Sequence, residues 1–144
     1  MKQLFTIALL AFTIAATAQT PYFNINGAAI RGYDAVAYFT DNMPVEGSKQ
    51  FSYSWQGTEW YFKNQSNRDA FVASPEKYAP QFGGYCVYGV SEDHKSPTDP
   101  AAFTIVDNKL YLNYNMNVRT LWQKDIPGRI RTAETNWTHL KDKE

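Results

Sequence analysis

The chain has 144 residues, with 14 basic and 14 acidic side chains and hence no net charge. That balance leaves no electrostatic footprint for nucleic acid or an anionic membrane surface, and neither is expected as a partner. A single cysteine, Cys86, excludes an internal disulfide framework, whereas aromatic residues at 16% supply rings that each bury ~150 to 250 Å² and can hold a core without staples.

In chain order, "MKQLFTIALLAFTIAATAQT" places Lys2 ahead of an apolar run from Leu4 to Ala16 and ends in Ala16-Thr17-Ala18. This pattern predicts a secretory signal peptide over residues 1–18, with a mature start at Gln19 and a periplasmic or secreted location. The run is short of the ~20 residues of a comfortable membrane crossing, so stable membrane insertion is not expected. Cleavage would remove Lys2 and no acid, leaving 13 basic against 14 acidic groups. Residues 19–144 are expected to form one domain, within the common range of ~100 to 150 residues.

"QTPYFNINGAAI" reads as a frayed start followed by a short extended piece, and Asp34 as the N-cap of a short helix in "GYDAVAYF". Phe51, Tyr53 and Trp55 alternate with serines, and Gln56-Gly57 turns into a second strand carrying Trp60 and Phe62, which predicts a hairpin with one aromatic face. Ser66 with Asp69 suggests a capping box opening a helix through about Ala73, and Pro75 suits the first position of a further turn. Gly83-Gly84 breaks the chain before Tyr85.

A second hairpin is expected from Phe103 and Ile105, a turn at Asp107-Asn108, and Leu110 and Leu112. The period then changes to 3.6. Asn115 can cap a helix on which Val118, Leu121 and Trp122 share a face. Asp125 can cap another with Ile126, Ile130, Ala133, Trp137 and Leu140 as its apolar stripe, expected against the sheet. The predicted fold class is α+β, a small antiparallel sheet of β-hairpins packed against helices.

"GYDAVAYF" followed by "YSWQGTEWYFKNQSNRDAFVASPEKYAPQFGGYC" resembles the YHS domain family. Over roughly Gly27 to Trp137 the chain is similar to small secreted bacterial proteins that carry such a domain. The resemblance rests on the Asp34 segment and on Tyr53, Gly57, Tyr61, Phe62, Phe71, Pro75 and Tyr78. It implies a small α+β module with a motif core at about 33–86, followed by the hairpin and helices at 103–140, of a kind often found beside metal-handling proteins and oxygenases. Metal-binding relatives place cysteines where this chain has Ala37, Lys63 and Ser66 or Asn67, and proline where it has Ala35. None of these is a soft ligand, so the family's metal cluster is not carried over.

Cys86 is read first as a small buried hydrophobe beneath the glycine turn. Its alternative is a ligand site at which Gly83 and Gly84 admit close approach while the thiol serves as donor. His94, eight residues on within "SEDHKS", is the candidate second donor for copper or zinc, with Met43 and Met116 as further thioethers; His139 suits a helix C-terminus. Tyr33, Asp34 and Arg68 could join Tyr85 and Cys86 in a small polar pocket, against the simpler reading of Asp34 as a cap and Arg68 as a surface residue. A thiol enzyme would need a base beside Cys86. Asn64-Gln65-Ser66 and Asn136-Trp137-Thr138 fit a glycosylation pattern that the bacterial resemblance makes irrelevant. The sequence thus points to an exported, non-enzymatic binding domain without a resident cofactor, its partner a small ligand, a metal ion or another exported protein.

Overall fold

The computed structural model describes Ala11 and residues 20–144. The expected signal peptide and the mature start at Gln19 lie outside the described residues. Six strands, β1 (Asn24–Ile25), β2 (Ala28–Ala29), β3 (Ser48–Trp55), β4 (Thr58–Phe62), β5 (Phe103–Val106) and β6 (Lys109–Leu112), form two sheets. The larger runs β1-β2-β4-β3 and the smaller is the β5-β6 hairpin. The fold is α+β, and both expected hairpins are present. One connection departs from an all-antiparallel arrangement, because β2 meets β4 in parallel through Ala28 and Glu59.

Six α-helices are present among the described residues: α1 (Ala37–Thr40), α2 (Gln65–Ala73), α3 (Pro75–Tyr78), α4 (Val87–Ser91), α5 (Met116–Trp122) and α6 (Ile126–Leu140). Caps explain most of their starts. Asn115 accepts from Val118 N and Asp125 from Gly128 N, as their positions before the apolar stripes require. α2 begins two residues earlier than a Ser66 cap would allow: Asn64 accepts from Asn67 N, and Asp69 binds the side chain of Gln65 rather than reaching back to a cap. Asparagine competes equally with serine as an N-cap, so the pattern alone does not choose between them.

The alternation in the first hairpin builds the first core cluster. Trp60 and Phe62 are buried and stack on buried Phe71 of α2, with ring centroids 4.8 and 5.1 Å apart. Phe51, Tyr53 and Trp55 pack half-buried against the same cluster. A second cluster holds Val87 and Val90 of α4, Tyr111, Trp122, Ala133 and Leu140. The α6 stripe therefore lies chiefly against α4, a helix not expected from the sequence, and touches the β5-β6 hairpin through Tyr111 and Val106. Leu121 is exposed while Trp122 is buried, since α5 presents only one side to this cluster.

Burial of tyrosines sets an alkaline limit. Burial, helped by Glu76, pushes Tyr22 up to about 12, and Tyr38 is pushed further, first by burial and then by Tyr33, Asp99 and Asp34. Below the ordinary tyrosine value of 10.0 both folded and unfolded chains keep these protons, so no pH dependence arises from them. Above it the unfolded chain releases protons that the native state retains, and stability falls as pH rises. Denaturant midpoints measured on both sides of pH 10 should fall more steeply above it than below it, where only the buried Cys86 thiol, raised from 9.0, adds a like slope; a flat profile above pH 10 would show that these hydroxyls are not buried.

Candidate functional site

Asp34 is fully buried and acts as a structural hub. Its Oδ1 accepts from Val36 N at 2.8 Å and Ala37 N at 3.1 Å, so it caps α1 as expected. Its Oδ2 accepts from Lys63 N at 2.9 Å and Asn67 Nδ2 at 2.8 Å. These donors tie α1 to the end of β4 and the start of α2. They also occupy the region where metal-binding relatives would set cysteines: Ala37, Lys63 and Asn67 turn N–H groups toward the carboxylate. A cation does not fit a site already lined with donors.

The other members of the expected polar pocket do not converge on Asp34. Tyr33 forms an isolated bridge with Glu46 and packs on the first cluster. Arg68 donates from Nε to Ser52 O at 2.6 Å and lies over the Tyr53 ring, which pins α2 to β3. Tyr85 belongs to the second cluster, against Phe23 and Trp137. Gly83 and Gly84 have positive φ as required of a tight turn, but their bare faces meet Pro21 and the Pro80 ring. The close approach they permit is to the chain itself rather than to a ligand.

Cys86 and His94 are brought together. Both line a cavity of about 280 Å³ with Tyr88, Gly89, Ser96, Tyr114 and Val118. Cys86 immediately precedes α4, is 1% exposed, and is held in a polar cradle. Its Sγ donates to Asn113 Oδ1 at 3.5 Å and accepts from Tyr114 N at 3.2 Å. Burial pushes the thiol above its ordinary value, and backbone N–H groups of Gly89, Tyr114 and Tyr88 oppose that shift only in part. His94 stands exposed at the cavity wall with Nδ1 3.4 Å from Glu92 O, and its Nε2 faces the space that a side chain at Gly89 would fill. A residue larger than glycine at 89 would push into the imidazole.

Met43 and Met116 are exposed and are not among the cavity's lining residues. His139 pairs with Asp93 at 2.5 Å. Among the described residues there is no group of three or more His, Cys, Asp and Glu able to hold a metal ion, and no helix long and apolar enough to cross a membrane. Sequence reasoning missed Asn113, which accepts from both Cys86 Sγ and Tyr88 N. Its signal was present: a polar residue directly after core residues Leu110 and Leu112, at the end of a largely buried strand.

No curated protein and no solved structure matches the chain. Residues 36–82 match the family model for the YHS domain. That segment holds α1, the first hairpin, α2 and α3, together with all four donors around Asp34, whereas Asp34 itself precedes it and Cys86, His94 and their cavity lie beyond it. Over residues 36–82, the chain carries a domain of the YHS family.

Proposed function

We propose that the chain is an exported, non-enzymatic binding module whose YHS domain serves as scaffold and whose ligand enters the cleft between Cys86 and His94. Export rests on the basic, apolar and small-residue pattern of residues 1–18. One observation carries the site: two donors eight residues apart line a single cavity whose other walls include Tyr88, Tyr114 and Val118. At about 280 Å³ it sits at the lower edge of the ~300 to 1,000 Å³ usual for small-molecule sites. The ligand is therefore a small, largely apolar group. Thiolate catalysis is disfavoured because burial raises the thiol, the opposite of what a resting nucleophile needs.

A second reading has a specific observation behind it. Cu(I) accepts few soft donors, and a thiol and an imidazole in one cleft supply two. Zinc in a structural site takes four protein ligands, more than this cleft offers. The metal would displace the thiol proton, so binding would strengthen with pH.

Methyl methanethiosulfonate, a small apolar thiol reagent, tests the site directly. The cleft predicts reaction with native Cys86 at a rate unchanged by mild denaturant, slowed by His94→Trp and faster as pH rises beyond the ordinary thiol range. Reaction seen only as the protein unfolds would make Cys86 a sealed core residue and overturn the site. Block of the reaction by one equivalent of Cu(I), weakened by His94→Ala, would select the metal reading over the organic ligand.

A further inference from the structure

A second cavity, of about 440 Å³, is lined by Arg31, Pro97, Thr98, Asp99, Pro100 and Tyr114. It adjoins the Cys86 cleft, for Tyr114 lines both. Its walls are held by hydrogen bonds from four directions. Thr98 Oγ1 donates to Gly84 O at 2.8 Å, and Asp99 N to Asn113 O at 3.0 Å. Tyr38 Oη donates to Pro100 O at 2.7 Å, and Arg31 Nε to Thr98 O at 3.0 Å. A loop so fixed is pre-organised for a ligand rather than ordered by it.

Arg31 is presented by an unusual backbone. Ile30 and Arg31 both have φ of 50°, followed by Gly32 at 86°. Ile30 is buried, and a β-branched residue in the left-handed region is a genuine outlier that the surrounding structure must hold in place. The guanidinium lies 5.9 Å from the Phe23 ring centroid. Among the described residues Arg31 donates from Nε alone, leaving its two terminal NH₂ groups without a partner, and neither Arg31 nor Asp99 takes part in an ion pair. Asp99 Oδ1 accepts from Ala101 N at 2.9 Å, and Oδ2 has no partner. One polar cavity therefore contains two opposite charges, on exposed Arg31 and half-buried Asp99, each with hydrogen-bonding groups that no protein atom among the described residues takes up and beyond ion-pair distance of the other.

We propose that this cavity is a zwitterion site that takes the head group of a free α-amino acid, with its carboxylate on the Arg31 guanidinium, its ammonium on Asp99 and its side chain directed past Tyr114 into the Cys86 cleft. Arg31 offers the planar fork that pairs with a carboxylate. A simple anion is opposed by Asp99 and a simple cation by Arg31. Either end of a peptide carries only one of the two charges, whereas a free amino acid carries both on a single carbon. The largely neutral chain supplies no long-range field, so selection is local. The head-group site stands independently; the course of the side chain rests on the proposed function of the Cys86 cleft.

The test is titration of the mature protein with L-leucine, followed by backbone amide NMR shifts, alongside glycine, N-acetyl-leucine and leucinamide. Leucine is expected to shift the amides of Arg31, Thr98 and Asp99, and loss of either ligand charge to weaken binding by about tenfold or more, the scale of one charge-assisted hydrogen bond. Asp99→Asn retains the oxygen that accepts from Ala101 N and should weaken leucine while improving N-acetyl-leucine relative to it. Arg31→Gln should weaken leucine and spare leucinamide. No shift with leucine, or binding indifferent to acetylation in the wild type, would overturn the head-group site. Glycine binding as tightly as leucine would retain that site and overturn the extension past Tyr114. Leucine that shifts Arg31 without slowing Cys86 modification would do the same, and would leave the reagent experiment to decide the Cys86 cleft separately.

Discussion

Replacing Trp60 by alanine is expected to cost about 3 to 5 kcal/mol, the range for truncating a large buried aromatic. Trp60 is 1% exposed at the centre of an aromatic group, with ring centroids 4.8 Å from Phe71, 5.1 Å from Tyr22 and 5.7 Å from Trp55. Its indole Nε1 also donates to Trp55 O at 3.1 Å, across the turn of its own hairpin. Alanine would remove all three ring contacts and leave a cavity that Phe71 cannot fill, because Phe71 is also packed on Phe62 and Trp55. Trp60→Phe, which keeps most of the volume but loses the hydrogen bond, should cost less. Urea unfolding of the two variants checks this: a loss under about 1 kcal/mol for the alanine variant, the scale of an ordinary surface change, would place Trp60 outside the core.

The hairpins were legible in the sequence because their signals are local. Alternation of Phe51, Tyr53 and Trp55, a turn at Gln56-Gly57 and the inward pair Trp60 and Phe62 need no partner elsewhere in the chain to be read. The same holds for Asp107-Asn108, where both residues take positive φ as the turn demands. The caps of α5 and α6 follow the same local logic. The short helix α4 did not, since five residues with Gly89 at their centre carry no helical period, and it exists because Val87 and Val90 fill the space under the α6 stripe.

Sites depend on contacts distant in sequence and were legible only in part. Cys86 and His94 could be paired because they are close in the chain, and both do line one cleft. The polar pocket joined Asp34 to Arg68 by the shared motif, yet the structure turns Arg68 to Ser52 O and Tyr53, whereas its neighbour Asn67 faces Asp34. Arg31 gave no signal at all. Its importance appears only when the backbone of Ile30-Arg31-Gly32 and a loop 67 residues away are placed side by side.

Asp34→Ala is expected to cost about 3 to 5 kcal/mol, as breaking a buried polar network does. It would leave Val36 N, Ala37 N, Lys63 N and Asn67 Nδ2 without their acceptor. Each orphaned donor costs about 1 to 3 kcal/mol in isolation. The total is smaller than a simple addition because α1 has only one turn and can tilt to admit water. Asp34→Asn is the sharper experiment, since it preserves shape. One amide oxygen can still serve Val36 and Ala37, but the NH₂ group would then face the N–H of Lys63 and the side-chain NH₂ of Asn67, donor against donor. The isosteric change should therefore be destabilising too, and adding Asn67→Asp should recover part of the loss by restoring an acceptor opposite position 34, a coupling that a double-mutant cycle measures. If Asp34→Asn instead unfolded at the wild-type urea midpoint, the carboxylate would not be committed to these four donors. The hub role assigned to Asp34 would then fail, and the join between α1, β4 and α2 would have to rest on packing alone.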